Sequence, residues 1–172
     1  QFTKATNIIN EIETGLKKFK NILIPSYKIT FLYMLSYYYF ATGNFNLTDS
    51  YISVIESVKH AAAANHCKVN LHWLSAEEVE KKGVSVLKGM DGLIIPQGWG
   101  GRGAEGKIAA IKYCREKKIP YFGLCYGMQM AVIEFARNVA GLKDANSAEV
   151  NPKTSNPVIH IMPGQEKLIA EK

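Results

Sequence analysis

Short apolar runs that alternate with stretches of helical spacing constrain this chain more than any other feature. Asp91-Gly92-Leu93-Ile94-Ile95 and residues 119–124 are too short for core helices, so each reads as a buried strand. Val69, Leu71 and Trp73 alternate as a half-buried strand would, and residues 29–36 form a candidate first strand. Helical spacing fills the intervals. Ile8, Ile9, Ile12, Leu16 and Phe19 share a face in 6–20, and Ile52, Ile55, Val58 and Ala62 share one in 49–64, with Thr48 or Asp49 as N-cap. Ser75-Ala76-Glu77-Glu78 is a capping box that opens a short helix stopping near Gly83. A glycine-rich loop, 98–106, leads into a helix through Ile108 and Ile111 to Lys118. Residues 127–140 form another helix, closed by Gly141. Residues 142–157 read mostly as loop and 158–162 as a further strand. Strand–helix alternation of this kind implies an α/β fold, an open doubly wound, mostly parallel sheet with helices on both faces. Ligands then sit outside the carboxyl ends of the strands, here the loops after Ile95 and Leu124.

At 172 residues, with 47% hydrophobic and 21% charged residues, the chain has the composition of one globular domain and excludes disordered, collagen-like and coiled-coil classes. Pro25 marks 21–27 as a linker, so 1–28 is expected to be a linker or N-terminal arm and 29–172 the domain. The net charge of +6 is scattered, which suits a solvated surface better than a nucleic-acid partner. Tyr33, Tyr37, Tyr38, Tyr39 and Phe40 have only Lys28 nearby, so they read as core or interface rather than a base-stacking face. The uncharged stretch 29–48 has a dense apolar part of only 13 residues, short of the roughly 20 a membrane helix needs. Asn46-Leu47-Thr48 matches a glycosylation sequon by chance on this reading, since no secretory signal is seen. Cys67, Cys114 and Cys125 form no CxxC pair and leave an odd thiol, which argues for a reducing compartment. No His/Cys/Asp/Glu cluster has metal-ligand spacing.

The strongest chemical signal is Gly123-Leu124-Cys125-Tyr126-Gly127, between a buried strand and a helix. It has the pattern of a nucleophile elbow with Cys in place of Ser. Small residues two positions either side let strand and helix approach. The helix N-terminus stabilises a thiolate, and the Tyr126 N–H can face an oxyanion. A buried structural cysteine between two packing glycines is the competing reading. For Cys67 and Cys114, which lack this context, the structural reading prevails.

The second signal is Pro96-Gln97-Gly98-Trp99-Gly100-Gly101-Arg102-Gly103, which satisfies GxGxxG after a strand. A dinucleotide site would need an acidic residue at a strand end about 20 positions on, and only Glu116, in a helix tail, is near. The other reading is a loop whose N–H groups form half an oxyanion hole opposite Cys125. Among the histidines, His160 is the one after the elbow and alternates with Val158 along a strand. His60 and His66 read as solvated or capping residues.

Further residues carry a resemblance. Gly123-Leu124-Cys125-Tyr126-Gly127-Met128-Gln129, then Ala131-Val132-Ile133-Glu134-Phe135-Ala136-Arg137-Asn138-Val139 and Gly141-Leu142-Lys143-Asp144-Ala145-Asn146-Ser147, resemble the glutamine amidotransferase domain of CTP synthases. So do residues 49–56 and Arg102-Gly103-Ala104-Glu105-Gly106-Lys107-Ile108. The resemblance covers residues 40–165 and is strongest over 88–150. It implies a flavodoxin-like, class I amidotransferase fold and a mechanism. Cys125 would attack the side-chain amide of L-glutamine. Gly98 and Tyr126 would supply oxyanion N–H groups. Gly127, Met128, Gln129 and Glu149 would contact the substrate. Ammonia would pass to a synthetase domain that uses ATP and Mg²⁺ to aminate UTP to CTP, in a cytoplasmic homo-oligomer with no membrane or nucleic-acid partner. No cofactor is expected in this chain itself.

The departures from that family are informative. Gln97-Gly98-Trp99-Gly100 stands where Gly-Gly-Phe-Gly is usual, Tyr126 where Leu is common, and Tyr37-Tyr38 where a Gly-Lys pair is expected. The family's base and its partner lie in an H-x-E pattern downstream, whereas His160 has Met162 at plus two. The resemblance therefore implies a fragment, incomplete at its C-terminus, with little glutaminase activity alone. The alternative is a standalone, degenerate binding module without catalysis.

Overall fold

In β3 (Gly92–Ile95) side chains alternate, so Leu93 and Ile95 face one side of the sheet and Ile94 the other, and all four residues are buried. The structure, a computed structural model, describes residues 26–33, 51–162 and 164–165. The expected helix over 6–20, the turn at 42–46, the sequon at Asn46, the caps Thr48 and Asp49, and the aromatic cluster beyond Tyr33 lie outside the described residues.

The strands β1 (Ser26–Tyr33), β2 (Lys68–Ser75), β3 and β4 (Tyr121–Gly123) form a parallel sheet in the order β2-β1-β3-β4. β1 pairs with β2 from Ser26↔Lys68 to Tyr33↔Ser75, and with β3 from Ile29↔Gly92 to Phe31↔Ile94. Leu93↔Tyr121 and Ile95↔Gly123 set the β3–β4 register. The winding reverses between β1 and β3, the switch point of a doubly wound sheet. β1 begins at Ser26, three residues before the expected start at Ile29, so the expected linker 21–27 overlaps the strand.

Helix α1 (Ile52–Ala64) lies toward the Ile94 side, where its Val54, Val58 and Ala61 face Ile94, Phe122 and Leu124 across an open groove. Helices α2 (Ala76–Lys82), α3 (Ala104–Lys117) and α4 (Tyr126–Asn138) cover the other face. Val79, Ile108, Ile111, Cys114, Met130 and Ile133 close over Leu93 and Ile95 there, which gives the principal core. Each such side chain removed from water contributes about 1.5–3 kcal/mol.

Several local expectations shift. α1 opens at Ile52 with Tyr51 as N-cap, and Tyr51 is buried while Ile52 is exposed. At β2 the alternation breaks, so Leu74 is buried with the residues of α2 and Trp73 is 36% exposed. Trp73 and Leu74 point to opposite faces of the sheet, and the face that α2 covers at this end of β2 is the one bearing Leu74. The Ser75 hydroxyl caps α2 through the Glu77 N–H at 3.3 Å, while Glu78 pairs with Lys82 at 2.7 Å instead of closing the box. The glycine loop ends at Gly103, because Gly106 is inside α3. A Cβ on Gly106 would stand 2.1 Å from the Ala76 carbonyl oxygen, so glycine there permits α2–α3 contact. α4 ends at Asn138, two residues earlier than expected, and Gly141 at φ +78° turns the chain beyond it.

Two ion pairs join α3 to α4. The Arg115 guanidinium reaches the buried Glu134 carboxylate at 2.8–3.1 Å, and Arg137 reaches Glu105 at 2.8 and 3.0 Å while donating to the Ala145 carbonyl at 2.6 Å. After α4, β5 (Asn146–Ser147) and β6 (Pro157–Ile159) form a separate small parallel sheet. β5 was not anticipated, and the strand expected over 158–162 stops at Ile159, which leaves His160 beyond it. Asp144 pins this region. Hydrogen bonds from Ser155 and Asn156 hold its carboxyl at about 2.

Candidate active site at the ends of β3 and β4

The chain leaves β4 at Gly123 and enters α4 at Tyr126, so only Leu124 and Cys125 make the turn. So sharp a turn forces Cys125 to φ 51°, ψ −102°, a region L-residues rarely occupy. Such strain costs about 1–3 kcal/mol and persists only where the surroundings impose it. The surroundings here are backbone. The Leu124 N–H donates to the Ile95 carbonyl at 2.9 Å, and the Gly127 N–H to the Leu124 carbonyl at 3.0 Å. A Cβ on Gly127 would stand 2.2 Å from the Ile95 oxygen, and one on Gly123 would stand 2.7 Å from the Gly127 carbon and the Met128 nitrogen. Both glycines are therefore needed for the approach of strand and helix, as the elbow spacing suggested. The Tyr121 hydroxyl donates to the Gly127 carbonyl at 2.7 Å and ties the first turn of α4 back to β4.

The elbow presents Cys125 as an exposed thiol at the N-terminus of a 13-residue helix. The other two thiols differ. Cys114 is buried, which pushes its thiol up to about 12, and the Cys67 thiol donates to the Ala62 carbonyl at 3.5 Å. Free N–H groups at a helix start lie beside the Cys125 side chain.

The loop after β3 approaches the elbow. Gly98 is half-buried, and Gly100 and Gly103 adopt φ +79° and +71°. The Gly100 N–H donates to Glu149 Oε1 at 2.9 Å, and the Tyr126 hydroxyl donates to the Gly100 carbonyl. The Tyr51 hydroxyl donates to the Gln97 carbonyl at 3.2 Å. Beneath the ring of Tyr126 lies Lys107, 1% exposed, with Nζ 5.8 Å from the ring centroid and 3.4 Å from the Gly103 carbonyl. Burial pulls Lys107 down to about 8, against the opposing pull of Glu80 and Glu77. Burial, with Glu149 and Glu105 nearby, pushes Tyr126 up to about 12.

The structure thus brings Tyr126 and Glu149 together with the 97–100 turn, sets Gly127 against the Ile95 carbonyl, and places Gln129 in the first turn of α4, its N–H on the Cys125 carbonyl at 3.1 Å. Met128 is 56% exposed on the solvent side of that turn. His160 is exposed, its Nδ1 2.8 Å from the Ile161 carbonyl. Glu116 lies 3.9 Å from Lys112 along α3, not at a strand end, so the dinucleotide reading of the glycine loop finds no acidic partner there. Among the described residues no group of His, Cys, Asp or Glu could hold a metal ion, and no helix is long and apolar enough to cross a membrane. Tyr51 and Lys107 joined the site without a local sequence signal, although both fall in segments that carry the family resemblance, whereas Gly100 belongs to the glycine pattern already singled out.

Comparison with known proteins agrees with this geometry. The family model for glutamine amidotransferase class-I matches residues 46–168. CTP synthases from Thermococcus gammatolerans and Caldanaerobacter subterraneus are 53% and 58% identical over 122 and 124 residues, or 71% and 72% of this chain. The aligned part is 23% of each relative, so the chain spans under a quarter of their length. The glutaminase domain of Trypanosoma brucei CTPS with bound acivicin superposes at TM-score 0.69 with 36% identity, covering 80% of this chain and 50% of that one. The sheet order, the elbow and these matches agree: the chain belongs to the class-I glutamine amidotransferase family and has its flavodoxin-like fold.

Proposed function

We propose that this chain is the nucleophile-bearing part of the glutaminase domain of a CTP synthase. The strained Cys125 elbow carries this reading: Lys118, at φ 57°, ψ 36°, sits in the ordinary left-handed region at a helix end, whereas Cys125, at φ 51°, ψ −102°, lies outside it, between a strand and a helix, with its thiol exposed. The Cys125 thiolate attacks the side-chain amide carbon of L-glutamine. A C–S bond forms, the oxyanion falls between the N–H groups of Gly98 and Tyr126, and the C–N bond breaks. The leaving nitrogen takes a proton and departs as ammonia. Water then hydrolyses the γ-glutamyl thioester to glutamate and frees the thiol. Gly127, Met128, Gln129 and Glu149 line the glutamine side of the elbow.

The proton carrier is expected in an H-x-E pattern that residues 126–172 do not contain. Ammonia is consumed by a synthetase domain of the same polypeptide, which binds ATP and Mg²⁺ and aminates UTP, in a cytoplasmic homo-oligomer. Residues 1–172 alone should therefore release little ammonia. The test is ammonia release from glutamine by the parent polypeptide, with and without Cys125→Ser, beside residues 1–172 alone. The reading expects activity that depends on Cys125 in the parent only. Release that ignores Cys125→Ser would overturn the role of Cys125, and no release with or without Cys125 would support a degenerate binding module.

A further inference from the structure

The 97–100 turn is held on both sides of Gly98-Trp99 by side chains from three separate parts of the chain. Tyr51, at the start of α1, donates its hydroxyl to the Gln97 carbonyl at 3.2 Å. Tyr126, at the start of α4, donates its hydroxyl to the Gly100 carbonyl. Glu149 accepts the Gly100 N–H at 2.9 Å. Both phenols are buried, Tyr51 at 7% and Tyr126 at 1% exposure. Their burial keeps them protonated and therefore able to donate. The Lys107 Nζ near the Tyr126 ring and the Gly103 carbonyl supports the second phenol from below.

The Gly98 N–H belongs to the same peptide unit as the Gln97 carbonyl, and that unit is planar. Fixing the Gln97 oxygen therefore fixes the direction of the Gly98 N–H on its opposite side. Tyr126 adds a second function to its residue. Its own N–H opens α4 beside Cys125, while its hydroxyl anchors the loop that carries the other candidate donor.

We propose that the Tyr51 and Tyr126 hydroxyls are positioning groups for one turn: Tyr51 holds the Gln97–Gly98 peptide in the orientation that aims the Gly98 N–H at the oxyanion, and Tyr126 holds the far end of that turn at the Gly100 carbonyl. This rests on the glutaminase reading above. Loss of an oxyanion donor costs about a hundred- to a thousandfold in turnover, and loss of a group that only aims one should cost less, about tenfold. The inference concerns turnover and not affinity, because an oxyanion exists only once the thiolate has attacked.

The experiment is steady-state glutamine hydrolysis by the parent polypeptide carrying Tyr126→Phe, Tyr51→Phe, Cys125→Ser or Gly98→Pro, with Tyr126→Phe also built on Gly98→Pro. Phenylalanine keeps the ring and removes only the hydroxyl, and melting temperatures verify the fold. The expected result is kcat lowered about tenfold by each Phe variant, with KM changed less than about twofold. On the Gly98→Pro background, where the N–H is absent, Tyr126→Phe should have no further effect, which a merely structural role would not produce. Unchanged kcat in both Phe variants, or a raised KM at constant kcat, would overturn the clamp and leave the nucleophile reading intact. Hydrolysis insensitive to Cys125→Ser would overturn the nucleophile reading, and the clamp with it.

Discussion

The two loops that meet at the candidate site are held by opposite means. The elbow after β4 is fixed by backbone packed against backbone, with Gly123 and Gly127 leaving no room for a Cβ. The 97–103 loop after β3 is fixed by side chains that reach in from elsewhere: Tyr51, Tyr126 and Glu149. The elbow should therefore fail when atoms are added, and the loop when atoms are removed. The difference suits the proposed mechanism, in which the elbow would hold a nucleophile in one position throughout and the loop would supply an oxyanion donor only while negative charge is present.

The largest effect expected belongs to the thiol itself. Cys125→Ser in the parent polypeptide should lower ammonia release by at least about a thousandfold, since nucleophile loss in comparable sites costs several orders of magnitude. Next is the steric half of the comparison. Gly127→Ala should destabilise the fold by about 3 kcal/mol, read from denaturant melts, because the new Cβ meets the Ile95 carbonyl and neither partner is a flexible side chain. A loss below about 1 kcal/mol would show that the elbow has slack.

Lys107, beneath the loop, gives a pH-dependent effect. Its folded value, about 8, lies below its ordinary 10.5. Below pH 8 the lysine is charged in both folded and unfolded chains, and the full cost of burying that charge is present. Between about 8 and 10.5 the unfolded chain binds the proton and the folded one does not, so stability from this group rises with pH. Lys107→Met should therefore be more stable than wild type at pH 7, with the gap narrowing by up to about 3 kcal/mol toward pH 10.5. Burial raises Cys114, Tyr121 and Tyr126, which pulls the other way in both proteins, so the difference between the two melts is the quantity to follow. A gap independent of pH would contradict the burial of that charge.

Smaller still is Glu149→Ala, which leaves the Gly100 N–H to water and should cost about 1 kcal/mol of loop stability, read as faster hydrogen exchange at Gly100. The smallest, and opposite in sign, is Cys125→Gly. Glycine adopts φ 51°, ψ −102° without strain, so the variant should melt no lower than wild type while losing all thiol chemistry. A clear loss of stability would mean that the cysteine packs rather than presents itself.

The sheet and the elbow were legible in the sequence because their causes are local. An apolar run such as Leu93-Ile94-Ile95 has few alternatives to a buried strand, and glycines two residues either side of Cys125 report a close approach directly. What escaped the sequence depends on distant partners. Tyr51 and Gln97 are 46 residues apart, Gly100 and Tyr126 are 26, and Gly100 and Glu149 are 49. No periodicity encodes such pairs. The same holds for Gly106, which reads as loop by composition but lies inside α3, where it is a glycine that lets α2 pass against the helix. Leu74 rather than Trp73 turned inward because α2 and its core neighbours are on that side, which β-alternation alone does not reveal.

If the elbow makes Cys125 a nucleophile toward a glutamine-like ligand, as proposed, acivicin, the compound bound in the Trypanosoma brucei CTPS glutaminase domain, should label it. Residues 1–172 are treated with acivicin, with and without excess glutamine and beside iodoacetamide as a measure of plain thiol accessibility, and the labelled peptides are read by mass spectrometry. The expected result is acivicin on Cys125, none on Cys67 or Cys114, and protection by glutamine against acivicin greater than against iodoacetamide. Labelling of Cys125 that glutamine does not suppress, or that merely follows accessibility, would contradict it.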